Sequence, residues 1–130
     1  MRTFPFRFDA RFSPMLAVIG ITPKTSRVTL DEETFAARFG RWRVETPIAN
    51  LARFEVGGGY RWYRAIGVRG SLVDGGITFG SSTKAGLCVC FYQPVGLTVP
   101  LYVPRHPGLT VTVADIDGLA SALRGYGVPG

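Results

Sequence analysis

The segment from His106 to Gly125 constrains this chain more than any other. An alternating run, Leu109, Val111 and Val113 against Thr110 and Thr112, passes directly into a helical pattern. Alternation predicts a strand, and apolar residues at i, i+3, i+4 and i+7 predict one face of a helix. Asp115 is placed to cap that helix. Ile116, Leu119, Ala120 and Leu123 form its apolar stripe, and Gly125 is its stop. Gly118 inside it costs about 1 kcal/mol relative to Ala, so packing must hold the stripe in place. Everything before this segment reads as β-structure. The prediction is a β-rich fold closed by one C-terminal amphipathic helix over 115–124.

A chain of 130 residues is one domain, and with 46% apolar residues it can bury a real core. The 17 glycines and 9 prolines are dispersed as turn punctuation rather than gathered in a linker. The longest apolar run, Met15 to Ile21, is far short of the ~20 residues that span a bilayer. The N-terminus alternates from Arg2 onward and has no apolar signal core. Cys88 and Cys90 point to one face of a strand, a poor geometry for bridging each other. They read as small buried or half-buried thiols in a reducing cytoplasm.

The chain divides into an N-terminal Phe-rich strand or extension (1–27), a β-barrel (28–113) and the helix. In the first part Phe4, Phe6, Phe8, Ala10 and Phe12 alternate with Pro5, Arg7, Asp9 and Arg11, one apolar face and one wet face. Pro5 lacks a donor and marks an edge. Ser13-Pro14 interrupts, and Met15 to Ile21 follows as a short, mostly buried segment before the turn Thr22–Ser26. Val28 and Leu30 make a short strand, and Asp31-Glu32-Glu33 is a hairpin tip. Phe35, Ala37 and Phe39 resume the alternation, which favours a strand over a helix at 31–38.

Gly40 breaks that strand. Trp42, Val44 and Thr46 then oppose Arg41, Arg43 and Glu45, Pro47 turns the chain, and Leu51 to Val56 is another strand. Gly57-Gly58-Gly59 is a turn or bulge. Tyr60 to Val68 is a strand whose phase is disturbed at Arg64, by a bulge, a rim position or a paired charge. Asp74-Gly75-Gly76 is a hairpin turn, Ile77 and Phe79 a short strand, and Gly80 to Gly86 a polar loop. Leu87, Val89 and Phe91 alternate with Cys88, Cys90 and Tyr92. Prolines punctuate an irregular stretch from Pro94 to Pro107.

This order of elements resembles the bacterial pleckstrin-homology-like domains. The matching segments are Ala37-Arg38-Phe39-Gly40-Arg41-Trp42, Thr46-Pro47-Ile48-Ala49-Asn50, and the exit Leu109–Asp115 into a helix ending in Leu-Arg. The resemblance covers roughly Val28 to Gly125, and the chain is similar to actinobacterial proteins of that kind. It implies a strongly bent antiparallel β-barrel or roll capped by one C-terminal helix, and a binding module rather than an enzyme. The family's phosphoinositide-binding version uses a basic loop between its first two strands. Pro23-Lys24-Thr25-Ser26-Arg27 is the nearest segment here, and no lipid-binding residue carries over.

The residues point away from catalysis. The single histidine, His106, sits between Arg105 and Pro107 and reads as a loop or hydrogen-bonded residue. No Gly-x-Ser-x-Gly elbow is present. Cys88, Cys90 and His106 are the only soft or imidazole metal-ligand candidates, too few to expect a metal. Gly57-Gly58-Gly59 runs into a strand rather than a helix, and Gly80–Gly86 lacks the spacing of a phosphate loop. No cofactor is expected. Asp115 reads as a cap and Asp74 as a turn residue. Glu45 and Glu55 lie among arginines, where ion pairs are expected.

What remains is positive charge. The net charge is +6, and 13 of the 15 basic residues are Arg, which suits phosphate and carboxylate partners. From Arg38 to Arg69 seven arginines face two glutamates. Arg41, Arg43, Arg61, Arg64 and Arg69 are the candidate ligand-binding residues, for an anionic ligand. Arg41-Trp42-Arg43 and Tyr60–Arg64 interleave aromatic and basic residues as single-stranded nucleic-acid surfaces do. Strand alternation would bury those aromatics, which argues against nucleic acid.

The expected function is therefore a non-enzymatic interaction module acting by protein–protein contact or self-association. Homo-oligomerisation through the Phe-rich edge strand is one route. The alternative is a carrier enclosing an apolar small molecule in its barrel.

Overall fold

The alternating residues between Ser26 and Pro47 build an antiparallel sheet, and the turns between them fix its register. In the computed structural model, which describes residues 2–58, 66–70, 76–98 and 105–130, four strands pair in chain order. They are β1 (Arg2–Pro5), β2 (Ser26–Leu30), β3 (Thr34–Phe39) and β4 (Trp42–Pro47). Asp31 forms the β2–β3 turn expected of it: Oδ1 accepts the amides of Glu33 and Thr34 at 2.8 and 2.7 Å. These two hydrogen bonds hold its carboxyl below the usual carboxylate range, against a small opposing effect of desolvation. Gly40 has φ +65°, the left-handed value a two-residue turn between Phe39 and Trp42 requires. Val28, Leu30, Phe35, Ala37, Phe39 and Val44 all point inward and are buried.

The second sheet is less regular. It contains β5 (Leu51–Gly58), β6 (Gly67–Gly70), β7 (Ile77–Gly80), β8 (Ala85–Gly96) and β9 (Arg105–Val111), in the order β5-β8-β9-β7-β6. The pleckstrin-homology-like resemblance implies an antiparallel arrangement. Instead, β9 lies between β7 and β8, antiparallel to β8 and parallel to β7. The β7–β8 connection must therefore arch over the end of β9. That is why the polar residues Ser81, Ser82 and Thr83, expected in a solvated loop, are buried. The Ser81 amide donates to Thr112 Oγ1 at 2.9 Å, just past the end of β9. β8 also runs on through Pro94, where irregular chain was expected. A register shift between Cys90 and Val95 accommodates the proline. The Asn50 side chain ties that point down through Gln93, at 3.0 and 2.8 Å. The expected strand Tyr60–Val68 lies largely outside the described residues, as do Asp74 and Gly75 of the expected hairpin turn.

The N-terminal stretch departs most from expectation. The alternation from Phe4 to Phe12 is not one strand, because β1 ends at Pro5. Phe6 then bridges to Val113, Arg7 donates to Thr112 O at 2.9 Å, and Asp9 donates to Ser81 O at 3.0 Å. The segment thus leaves the first sheet and fastens to the second. Ser13-Pro14, expected as an interruption, starts the short helix α1 (Ser13–Val18), since proline suits a first helical turn. Within Met15–Ile21 only Leu16 and Ile21 are buried, whereas Met15, Val18 and Ile19 are exposed.

The C-terminal helix forms as expected, as α2 (Ile116–Gly125), with Asp115 Oδ1 accepting the Gly118 amide at 2.9 Å. Its stop is Gly127, with φ +88°, two residues beyond the predicted Gly125. Leu119, Ala120, Ala122 and Leu123 are buried, and α2 touches β8. One hydrophobic cluster joins both sheets and α2. At its centre Phe39 of the first sheet stacks on Phe79 of the second at 5.4 Å and meets Phe6 at 4.9 Å. No helix of the described residues is long and apolar enough to cross a membrane.

Candidate functional site

Because inward residues alternate with outward ones, β2, β3 and β4 also define an outer face. On it, Arg27 pairs in register with Arg38, and Arg38 with Arg43, so three guanidinium side chains form one row across three strands. Arg38 and Arg43 are exposed and Arg27 is half-buried. Together with Thr29 and Ala36 the row lines an open depression of about 210 Å3. Like charges directly opposite one another on a sheet are unfavourable, so a partner that neutralises them gains binding energy from the relief.

Arg27 and Arg38 are only lightly engaged by the protein itself. Arg27 Nη1 reaches Lys24 O at 3.4 Å, and Arg38 Nε reaches Gly40 O at 3.3 Å. Arg43 forms an ion pair with Glu45 at 2.5 Å, as its sequence context predicts. Arg53 and Glu55 on β5 make the corresponding pair on the second sheet. Exposed pairs of this kind contribute little to stability. Among the described residues Glu45 is the one acid at the outward positions of β2, β3 and β4.

The residues singled out from sequence separate in space. Arg43 belongs to the row. Arg41 sits in the β3–β4 turn, exposed, beside the end of α1. Arg69 lies on β6 in the other sheet, opposite Thr78 of β7, and its side chain lies outside the description. Arg61 and Arg64 lie outside the described residues. Sequence reasoning missed Arg27 and Arg38 as site residues, naming Arg27 only in the loop Pro23–Arg27 and Arg38 only in a segment of the family resemblance and in a charge total. Counting back from the two turns, with Phe39 opposite Trp42 and Leu30 opposite Phe35, would have placed both beside Arg43.

Trp42 is half-buried against the core rather than presented for stacking, as strand alternation predicts. Cys88 and Cys90 are half-buried on one face of β8, opposite Thr110 and Gly108, and no disulfide joins them. His106 is buried within β9 rather than in a loop. No three metal-ligating side chains converge among the described residues. No protein-family model, curated protein or solved structure matches this chain.

Proposed function

We propose that the chain is a non-enzymatic binding module that contacts a carboxylate- or phosphate-bearing partner through the outer face of its first sheet. The observation that carries this reading is the in-register row Arg27–Arg38–Arg43. Each guanidinium offers a planar fork of donors that matches such groups. Two sheets with a C-terminal helix packed on β8 support, as part of the same proposal, a pleckstrin-homology-like roll. A cytoplasmic location belongs to that proposal too. The stacked phenylalanines that fill the space between the sheets favour a contact surface over an apolar-ligand carrier.

The test uses a synthetic oligoglutamate peptide as the anionic probe. The triple substitution Arg27→Ala, Arg38→Ala, Arg43→Ala weakens its binding by about tenfold or more and flattens the dependence on salt. Equal binding and equal salt dependence in the two proteins removes this face from the reading.

A further inference from the structure

The first sheet carries opposite charge at its two ends. Asp31, Glu32 and Glu33 form the β2–β3 turn, while Arg41 with Lys24 nearby marks the opposite, β3–β4 end. Strands of five or six residues put these ends about 17–20 Å apart. Each end also has an apolar feature. Beside Arg41, α1 projects Val18, 86% exposed, with Met15 at 50% and Ile19 at 47%. Beside Glu32 and Glu33 lies an open cleft of about 580 Å3. Ile48, Leu51 and Val128, all buried, form its floor, and the exposed Tyr92 and Tyr126 stand at its walls. Among the described residues neither Glu32 nor Glu33 has an ion-pair partner, although the chain as a whole is strongly basic.

We infer that the α1 end of one copy docks in the tyrosine-walled cleft of the next, with Val18 on the apolar floor and Arg41 against Glu32 and Glu33. The two surfaces complement each other in charge and in hydrophobicity, and they lie on different parts of one molecule. Such a contact is heterologous: each copy offers both halves, so association proceeds head to tail. An exposed cluster of Met15 and Val18 on a six-residue helix and Ile19 at its C-cap is not part of the buried core, and burying it against a matching cleft removes it from water. The inference rests on the reading of the chain as a contact-making module, but it uses residues outside the arginine row.

The experiment is sedimentation analysis of the full chain across a wide range of concentration. The mass average of the unsubstituted protein is expected to rise with concentration. Val18→Ser, at a position too exposed to affect folding, weakens association by about tenfold or more. Arg41→Glu alone, and Glu32→Arg with Glu33→Arg, each abolish it, and mixing these two proteins restores it because each contact regains opposite charges. A chain that stays monomeric overturns the inference. So does association untouched by Val18→Ser and by the charge exchange. Neither result bears on oligoglutamate binding by the arginine row, so the two readings fail separately.

Discussion

The amide of Gly118 donates to Asp115 Oδ1 at 2.9 Å, and a Cβ built on Gly118 would lie 2.1 Å from Oδ2 of the same carboxylate. The glycine that weakens α2 by propensity is therefore what lets the cap close. Gly118→Ala gains about 1 kcal/mol of helix propensity. It also displaces a cap worth about 0.5–2 kcal/mol and crowds the carboxylate. We expect a net loss of about 1 kcal/mol. With Asp115→Ala already in place the same substitution should stabilise, because no carboxylate remains to clash. Urea unfolding of the two single variants and the double variant gives that coupling directly. Simple additivity would mean the cap does not depend on the glycine.

Phe39 joins the two halves of the core, with Phe6 on one side and Phe79 on the other. It is completely buried. Phe39→Ala removes contacts to both sheets at once and is expected to cost about 3–5 kcal/mol, close to the whole stability of many small domains. Phe39→Leu retains most of the volume and should cost well under half of that. Thermal unfolding followed by circular dichroism distinguishes the two. Similar losses would mean that ring stacking, rather than filled volume, holds the sheets together.

Ser26 faces the core from β2, opposite Phe39, and among the described residues its hydroxyl has no hydrogen-bond partner. A buried hydroxyl left unsatisfied costs about 1–3 kcal/mol. Ser26→Ala removes the group with almost no change in volume and is expected to raise stability by about 1 kcal/mol. Chemical denaturation reads the change. A destabilised variant would show that the hydroxyl contributes to the fold.

Local features of the fold were legible in the chain. Asp31 as a turn residue, Gly40 as a break, the inward triad Phe35, Ala37 and Phe39, and Asp115 as a cap all act within a few residues of themselves. The Arg43–Glu45 and Arg53–Glu55 pairs were legible for the same reason. What the sequence concealed depends on distant partners. Nothing near Ile77–Gly80 says that β9, some thirty residues later, will enter beside it, so the burial of Ser81–Thr83 was unreadable. The period-two run Phe4–Phe12 looked like one strand because alternation does not record which sheet a residue joins. The arginine row lay between these cases. Its members are spread from Arg27 to Arg43, and only the two turn lengths bring them together.

Arg38 stands in the middle of that row, with an arginine opposite it on each side. Replacing it with a neutral β-former relieves two unfavourable pairings. Arg38→Thr is therefore expected to stabilise the fold by about 0.2–1 kcal/mol at low salt and by less at high salt. The same change should weaken oligoglutamate binding. Opposite signs for stability and binding are what a functional charge cluster produces. A variant that loses stability would show that Arg38 serves the fold, through its stem or its bond to Gly40 O.

Asp9 fastens the N-terminal segment to the loop that crosses the end of β9. Its carboxylate accepts the Ser82 hydroxyl at 2.9 Å and the Thr83 amide at 3.1 Å. Partial burial pushes the Asp9 carboxyl up. The Thr83 and Ser82 hydrogen bonds, with the charges of Lys84 and Arg7, outweigh that effect and hold it below its ordinary value of 3.8. A depressed carboxylate pKa stabilises the fold above the unfolded-state value, and that stabilisation is lost as pH falls through the folded-state value. Asp9→Asn keeps the side chain's size but removes the charge. At neutral pH the variant should be less stable than the unsubstituted protein by about 1–2 kcal/mol, the worth of charged hydrogen bonds in a half-buried site. As the pH drops below about 4 the difference should shrink, because the native carboxylate becomes protonated while the amide does not change. Urea titrations of both proteins at neutral and acidic pH measure it. A gap that stays constant across that range would place the effect of Asp9 in packing rather than in its charge.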